Sequence, residues 1–404
     1  MSRSLFLLSP CIFLMASGLG MASEVGETKE GNPLQNKGVI ELKTDKTVLS
    51  LGGRIDLQSM YTSPEGSFFA GKIPLEKDSI GENGQLFMSA RDSRLWVKTR
   101  TPTKYGVARA IIETDFWGDT TNANEKNTNS YGVRLRHVYV NIAGFTVGQT
   151  NSAFNSTVML DTITHTINET LVRQPLIRYS IDNYNYAYDI SFEQPETTLI
   201  NSSATMITPK DDVVPDVILR MRYYPSWGEF SFAAMGRYIT QDRADINSST
   251  RYLQSDGKFG HAYNLSLRIN TFTYDDIRFD AQYGSGLGRY LAYSAFAAGS
   301  VDDNGNIKLQ ESYGGHLAYR HWWNLELRST FAISYAATQN NLEQIQAAQL
   351  DKLNKDVKAL QVNLLYSPVK NALVGLEYSK AIRRVESLDE GVIELATLMF
   401  RYEF

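Results

Sequence analysis

The sequence predicts an all-β protein: a 16-stranded antiparallel transmembrane β-barrel with short periplasmic turns, long extracellular loops and a third loop folded inward. Three features predict this fold. Apolar and polar residues alternate with a period of two in segments of about ten residues. Long and short connections alternate between these segments, and the chain ends on an aromatic residue preceded by apolar residues at every second position.

The composition describes a folded chain that is only moderately hydrophobic. Of the 404 residues, 21% are charged and 11% are aromatic, and the net charge is −4. The mean hydropathy is −0.29. A helical membrane protein would be far more apolar, and a nucleic-acid-binding protein would be basic. We therefore expect neither class, and no nucleic-acid partner.

The N-terminus is predicted to be a secretion signal. Arg3 supplies a positive charge, residues 5–19 form a short apolar stretch, and Gly20-Met21-Ala22 places small residues two apart, so cleavage is expected after Ala22. The apolar stretch is too short for a transmembrane helix. The chain is therefore divided into a signal peptide (1–22), a short periplasmic N-terminal segment (23–46) and a barrel domain (47–404).

The first predicted strand shows the alternation most clearly. Its apolar face is Leu49, Leu51, Gly53, Ile55 and Leu57, and its polar face is Ser50, Gly52, Arg54, Asp56 and Gln58. A soluble β-sandwich also alternates in this way. Here, however, the strands are long and their apolar faces carry aromatic residues near the ends, as the interfacial girdles of membrane barrels do. These residues are Tyr61, Phe116, Tyr223, Tyr283, Tyr335, Tyr366 and Tyr378.

The connections give a second, independent argument. Eight long and seven short connections join the predicted strands, which gives sixteen strands and places both termini in the periplasm. An unpaired sheet edge would leave backbone groups unsatisfied in hydrocarbon, so the sheet must close. A barrel of this size leaves an aqueous channel. The long connections are 62–84, 119–130, 151–175, 194–215, 240–258, 285–306, 337–357 and 381–390.

The C-terminal strand resembles the assembly signal of outer-membrane barrels. Leu398, Phe400, Tyr402 and Phe404 alternate with polar residues and Met399, and Phe404 is the last residue. We therefore expect the barrel-assembly machinery to be a partner through Phe404.

The polar faces of the strands are rich in arginine, and this predicts a preference for anions. Fixed charge in a narrow passage concentrates counter-ions, and arginine can bind a carboxylate with two hydrogen bonds. The alternative is that these side chains only hydrate the lumen and pair with each other. The predicted pore-lining and solute-binding residues are Arg54, Arg94, Lys98, Arg109, Glu113, Asp115, Arg134, Arg136, Arg178, Arg220, Arg268 and Arg278.

The third long connection has an unusual composition. Residues 151–174 carry little charge, only Asp161, His165, Glu169 and Arg173, and contain many Thr and Asn with scattered apolar residues. A loop exposed outside the cell is usually more charged. The segment is therefore predicted to fold into the barrel and narrow it, and the alternative is an ordinary surface loop.

Other sites have little support in the sequence. The only cysteine, Cys11, lies in the signal, and the five histidines fall on different elements, so no metal, cofactor or enzymatic activity is expected. Asp302-Asp303-Asn304-Gly305-Asn306 lacks the later Glu of a calcium loop. The role of 342–358 stays open: Leu350, Leu353, Val357 and Leu360 fit either a short helix at the barrel mouth or the start of the next strand.

Several stretches resemble the DcaP-like branch of trimeric Gram-negative outer-membrane porins. They are 47–54, 90–94 leading to 98–103, 112–118, 135–140, 148–150, 366–368 and 375–378. The resemblance covers most of the mature chain and is densest between residues 47 and 155. It places Arg94 in a Ser-Arg strand motif, Glu113 and Asp115 in an Ile-Glu-x-Asp-Phe strand, and Arg136 in a Leu-Arg-His stretch.

The resemblance implies a homotrimer embedded in outer-membrane lipid, a third loop folded inward, and uptake of small anionic solutes such as dicarboxylates. We therefore expect an outer-membrane porin for passive diffusion of small hydrophilic solutes. The alternative is a structural or adhesive barrel whose extracellular loops bind a partner. The sequence departs from the family where a long helical N-terminal extension is common, because only residues 23–46 precede the barrel here.

Overall fold

The computed structural model describes residues 40–404 except 45, 68, 79–82, 119–127, 130, 166–170, 210–211, 242–255 and 273. The predicted signal peptide and most of the predicted periplasmic segment lie outside the described residues. The last part of that segment, Ile40–Lys43, is a short strand that pairs antiparallel with residues 48–51 at the start of the barrel.

Sixteen antiparallel barrel strands follow, each paired with the next, and the last pairs with the first. The predicted closed barrel is therefore confirmed. The strands, numbered in chain order, are Val48–Ser63 (β1), Gln85–Ser89 with Arg94–Thr103 (β2), Gly106–Asp115 (β3), Arg134–Ile142 (β4), Phe145–Asn151 (β5), Arg173–Asp182 (β6), Tyr186–Glu193 (β7), Asp216–Tyr223 (β8), Gly228–Gln241 (β9), Asp256–Asn270 (β10), Asp276–Ser285 (β11), Glu311–Trp322 (β12), Leu327–Gln339 (β13), Asn354–Val369 (β14), Ala372–Val385 (β15) and Glu390–Glu403 (β16).

The closing seam contains the C-terminal residue. The Gly53 N–H donates to the Phe404 carbonyl at 2.9 Å, and the Phe404 N–H donates to the Gly53 carbonyl at 2.9 Å. A Cβ atom at Gly53 would lie 2.7 Å from the Phe404 ring, and one at Gly52 would lie 2.6 Å from the Trp96 indole nitrogen. A side chain at Gly53 would therefore clash with the C-terminal residue at the seam, and one at Gly52 would clash with the neighbouring strand β2. Closure of the seam pairs the backbone groups of the two edge strands, which hydrocarbon could not satisfy.

Alternation along each strand separates an apolar outer face from a polar lumen face. In β12, Tyr313, Leu317 and Tyr319 are exposed on the outside, whereas Ser312, His316 and Arg320 are buried on the inside. This is the pattern expected where one face meets lipid and the other meets the lumen. Among the described residues, no helix has both the length and the apolar character needed to cross a bilayer.

The long connections, named L1 to L8 in chain order, carry further local structure. L4 and L6 are joined by a small sheet of Leu199–Ile200, Met206–Ile207, Gly299–Val301 and Ile307–Leu309. In L7, two short 3-10 helices, Leu342–Gln344 and Ala347–Lys352, are followed directly by β14. The segment 342–358 therefore contains both of the structures that the sequence left open.

Candidate functional site

L3 (residues 152–172) crosses the barrel. It leaves the wall between β5 and β6, yet its residues 159–164 contact the lumen faces of β11 to β15. Strands eight positions apart lie on opposite sides of a 16-stranded barrel, so a loop that joins them must traverse the lumen. The predicted inward folding of the third loop is confirmed.

Asp161 is the first anchor of L3. Its carboxylate accepts hydrogen bonds from Arg328 at 2.5 and 3.2 Å and from Arg320 at 3.2 Å. Arg278 adds a hydrogen bond to the Met159 carbonyl. Burial opposes ionisation of Asp161, but the charges and hydrogen bonds of Arg328 and Arg320 outweigh it and lower the pKa of the carboxyl. The negative charge that holds L3 in place is therefore retained at neutral pH.

Glu377 of β15 is the second anchor. Its carboxylate accepts hydrogen bonds from the Ile163 N–H at 2.7 Å, the Thr164 N–H at 2.8 Å and the Thr164 hydroxyl at 2.5 Å. Asn363 donates to the Asp161 carbonyl at 2.8 Å. Wall side chains therefore satisfy backbone groups of L3 at Met159, Asp161, Ile163 and Thr164, which lowers the cost of burying this part of the loop.

L6 (residues 286–310) also enters the barrel. Arg237 of β9 donates to the Gly286 carbonyl at 2.8 Å and the Leu287 carbonyl at 3.3 Å. Tyr290 packs edge-to-face on Phe154 of L3, with ring centroids 5.4 Å apart. Leu287, Tyr290, Leu291 and Phe296 are buried in one apolar cluster with L1, L3 and wall residues. This second insertion differs from the prediction, in which only the third loop folds inward.

A polar network joins the two inserted loops. The Tyr290 hydroxyl donates to Asp216 at 3.0 Å and accepts from Gln174 at 2.8 Å. Gln174 also bonds Glu193, whose carboxylate accepts the Ala153 N–H at 2.8 Å. Since Ala153 begins L3 and Tyr290 lies in L6, these side chains fix the two loops relative to each other and to the wall.

The wall formed by β16, β1, β2, β3 and β4 carries a belt of paired charges. Arg401 bonds Asp56 at 2.6 Å, and Arg136 bonds Glu113 and Asp115, each at 2.8 Å. The other members of the belt are Arg54, which lies 3.7 Å from Asp56, Arg94, which lies 3.4 Å from Glu113, and Arg134, which bonds Asp115 at 2.9 and 2.6 Å.

A β-bulge concentrates charge in this belt. The pairing of β3 with β4 shifts register between Glu113 and Thr114, so that Glu113 faces His137 while Asp115 faces Arg134. Arg136 therefore points into the lumen together with His137, although the two residues are adjacent in sequence. Strict alternation would have placed one of them in the membrane.

Four basic residues on the described lumen faces have no carboxylate partner, although the Lys98 ammonium group lies 5.3 Å from the centre of the Trp96 ring. Lys98, Arg100, Arg109 and Arg178 make no ion pair and no hydrogen bond within the part of the chain that the structure describes. Arg100 and Arg109 lie directly opposite each other on β2 and β3. Like charges placed opposite each other are destabilising in a sheet. Their charge is therefore left to attract a mobile anion.

All twelve predicted site residues lie on lumen faces, but their interactions differ. Lys98, Arg109 and Arg178 are unpaired, and Arg54, Arg94, Glu113, Asp115, Arg134 and Arg136 form the paired belt. Arg220 is paired with Asp189 at 2.7 Å, and Arg268 lies 3.5 Å from Glu229. Arg278 bonds Asp276 and L3, so its guanidinium supports the loop.

Comparisons with known proteins agree with this architecture. A family model described as the porin subfamily matches residues 77–384. The outer membrane channel DcaP of Acinetobacter baumannii is 22% identical, with a TM-score of 0.77 over 90% of this chain and 99% of that chain. OmpT, an outer membrane protein of Vibrio cholerae, is 9% identical with a TM-score of 0.56 over 90% of this chain and 100% of that chain.

An anion-selective porin from Comamonas acidovorans is 10% identical, with a TM-score of 0.55 over 89% of this chain and 100% of that chain. A search of curated protein sequences found no match. At these identities the solved structures show the shared barrel fold.

Proposed function

The chain belongs to the porin subfamily and is a β-barrel channel of the outer membrane, and from this premise we propose that small hydrophilic solutes diffuse through it passively, with a preference for anions such as dicarboxylates. The observation that carries the anion preference is the set of unpaired basic residues in the lumen. Lys98, Arg100, Arg109 and Arg178 have no carboxylate partner among the described residues. Fixed charge between low-dielectric walls raises the local concentration of anions.

The reversal potential of the purified channel in a planar bilayer under a potassium chloride gradient tests this proposal. The reversal potential is expected to have the sign of the chloride equilibrium potential. A value of zero, or one with the sign of the potassium equilibrium potential, would contradict anion preference. A barrel that conducts no current would favour the alternative, in which the barrel is a structural or adhesive anchor for its loops.

We propose further that the channel is a homotrimer that packs through β2, β3 and β4. None of the described outward-facing residues within these strands is aromatic: the large exposed ones are Leu86, Met88, Leu95, Val97, Ile112, Leu135 and Val140. The outer faces of the other strands carry the aromatic residues that mark the lipid interface, among them Phe232, Tyr263, Tyr283, Tyr313, Phe331, Tyr366, Tyr378 and Phe400. A small, aliphatic surface suits close packing against another barrel in a closed ring.

Val97→Trp is expected to remove the trimer, because an indole on this smooth surface prevents close packing. Leu317→Trp on β12 is the matched control, since Leu317 is exposed on the aromatic part of the outer face. Electrophoresis without heating should show a trimer band for the wild type and for Leu317→Trp, and only monomer for Val97→Trp. A trimer band of equal strength in both variants would place the interface elsewhere.

Assembly is proposed to depend on Phe404 through the barrel-assembly machinery. The residue already has a structural role, because its backbone closes the seam with Gly53 and its side chain is partly exposed. An exposed aromatic side chain at the end of the last strand is available for recognition before closure.

A further inference from the structure

A cavity lies on the outside of the barrel, at the end that carries the short turns. It has a volume of about 400 Å³ and lies between Phe272, Tyr274 and Asp275 of one turn and Trp323 to Leu325 of the next. Its lining includes Tyr274, Asp275, His321, Trp323 and Asn324. Short turns mark the periplasmic end of a bacterial barrel. The cavity therefore opens at the level where the periplasmic leaflet of the membrane has its head groups.

The rings of Tyr319, His321 and Trp323 contact one another in a row on this part of the outer face. His321 stacks on Tyr319 with centroids 6.3 Å apart and meets Trp323 edge-to-face at 4.5 Å. Trp323 is 61% exposed, and its indole N–H donates to Ser329 at 3.0 Å, which fixes the ring. Aromatic rings at this depth pack against glycerol and the first carbons of acyl chains.

Asp275 organises the polar side of the cavity. Its carboxylate accepts hydrogen bonds from the Tyr319 hydroxyl at 2.6 Å, the Trp322 N–H at 2.8 Å and His321 Nδ1 at 2.8 Å. Burial opposes ionisation of Asp275, but these hydrogen bonds outweigh it and lower the pKa of the carboxyl. The charged carboxylate holds the imidazole by Nδ1, which leaves the Nε2 edge for another partner.

Asn324 supplies a second donor. Its side-chain oxygen accepts the N–H groups of Glu326 at 2.8 Å and Leu327 at 2.9 Å. The amide oxygen is therefore fixed by the turn, and the amide NH₂ group points away from it. The imidazole edge of His321 and the amide NH₂ group of Asn324 can donate hydrogen bonds to oxygen atoms of a ligand. The exposed aromatic rings beside them can pack against an apolar part of the same ligand.

We propose that this turn-side cavity binds one glycerophospholipid of the periplasmic leaflet, with the lipid phosphate against His321 and Asn324 and the glycerol and upper acyl chains against Tyr274 and Trp323. The Nε2 edge of His321 and the Asn324 amide NH₂ group face the position of the phosphate oxygens, which can accept hydrogen bonds from both. The outward, membrane-facing position of the rings assigns the phosphate to a lipid, because a free anion would gain nothing from the apolar side.

Native mass spectrometry of the detergent-purified full chain with added phosphatidylglycerol tests the proposal. The wild type is expected to retain one lipid per chain, and a variant combining His321→Ala with Trp323→Ala is expected to retain at least about five-fold less, since two binding groups are lost. Trp227→Ala is the matched control, because Trp227 is an exposed tryptophan in another short turn outside the cavity. Equal retention by the double variant and the wild type would overturn the proposal.

A second variant tests the proposal without removing a hydrogen bond of the turn, in case the double variant does not fold. Asn324→Asp keeps the oxygen that caps the turn but replaces the donor with a negative charge, so it is also expected to lower lipid retention. Diacylglycerol with the same acyl chains, which lacks the phosphate, is expected to bind weakly. Retention of diacylglycerol equal to that of phosphatidylglycerol, or displacement of the lipid by equimolar inorganic phosphate, would refute recognition of a lipid phosphate here.

Discussion

Replacing residues 156–164 of L3 with two glycines is expected to raise the single-channel conductance about two-fold or more, because an open 16-stranded barrel leaves a wide aqueous channel. The replaced segment contains Asp161 and both residues clamped by Glu377. Apolar contacts are lost as well, since Leu160 packs on Ala318 and Ala332 of the wall. Planar-bilayer recordings of single channels give the measurement.

The L3 prediction has a matched control in L7. Replacing residues 346–348 with two glycines shortens L7 at three exposed positions, so the conductance should stay close to that of the wild type. If the shortened L3 conducts like the wild type, then L3 does not limit the current. L6 would then be the narrowing element, because it occupies the lumen as well.

Combining Lys98→Glu with Arg109→Glu is expected to lower the chloride-to-potassium permeability ratio on the order of ten-fold, because fixed charge in a narrow passage sets the local ion concentration. Both residues lack an ion pair among the described residues, so their substitution breaks no salt bridge. Reversing the charge of Arg136 would be less informative, because Arg136 also forms ion pairs with Glu113 and Asp115. The measurement is the reversal potential under a salt gradient.

Lys370→Glu is the control for the change in the total charge of the protein. Lys370 is exposed in a short turn, so the same change of charge lies outside the lumen and should leave the permeability ratio unchanged. If both variants shift the reversal potential equally, the effect comes from the overall charge of the protein. If neither does, Lys98 and Arg109 lie away from the path of the ions.

The barrel could be predicted from sequence because it depends on a local pattern, the alternation of apolar and polar residues along each strand. Alternation decides the outer and inner face of every strand, and it placed all twelve predicted site residues on the lumen side. L3 was found because it combines low charge with scattered apolar residues. The same signal is present in 286–298, where Arg289 is the only charged residue, and applying it there would have found L6.

The roles of individual lumen residues could not be predicted from sequence. Arg278 looked like a solute contact, but its partner Met159 is more than a hundred positions away along the chain. Glu377 binds the backbone of Ile163 and Thr164, which lie 214 and 213 positions away along the chain. The bulge that turns both Arg136 and His137 inward depends on the register between β3 and β4, which alternation within one strand does not reveal.

Thiol labelling of two adjacent positions on β6 tests most directly that one face of the wall meets water in a pore and the other meets lipid. Cys11 is the only native cysteine and lies in the predicted signal peptide, so the introduced thiol is expected to be the only one in the mature variants Arg178→Cys and Ile177→Cys. Ile177 is 53% exposed on the outer face, and Arg178 lies on the lumen face. In a bilayer, a charged thiol reagent that cannot cross membranes should modify Arg178→Cys and reduce its current, and it should leave Ile177→Cys unchanged. Labelling of both positions, or of Ile177→Cys alone, would contradict this account.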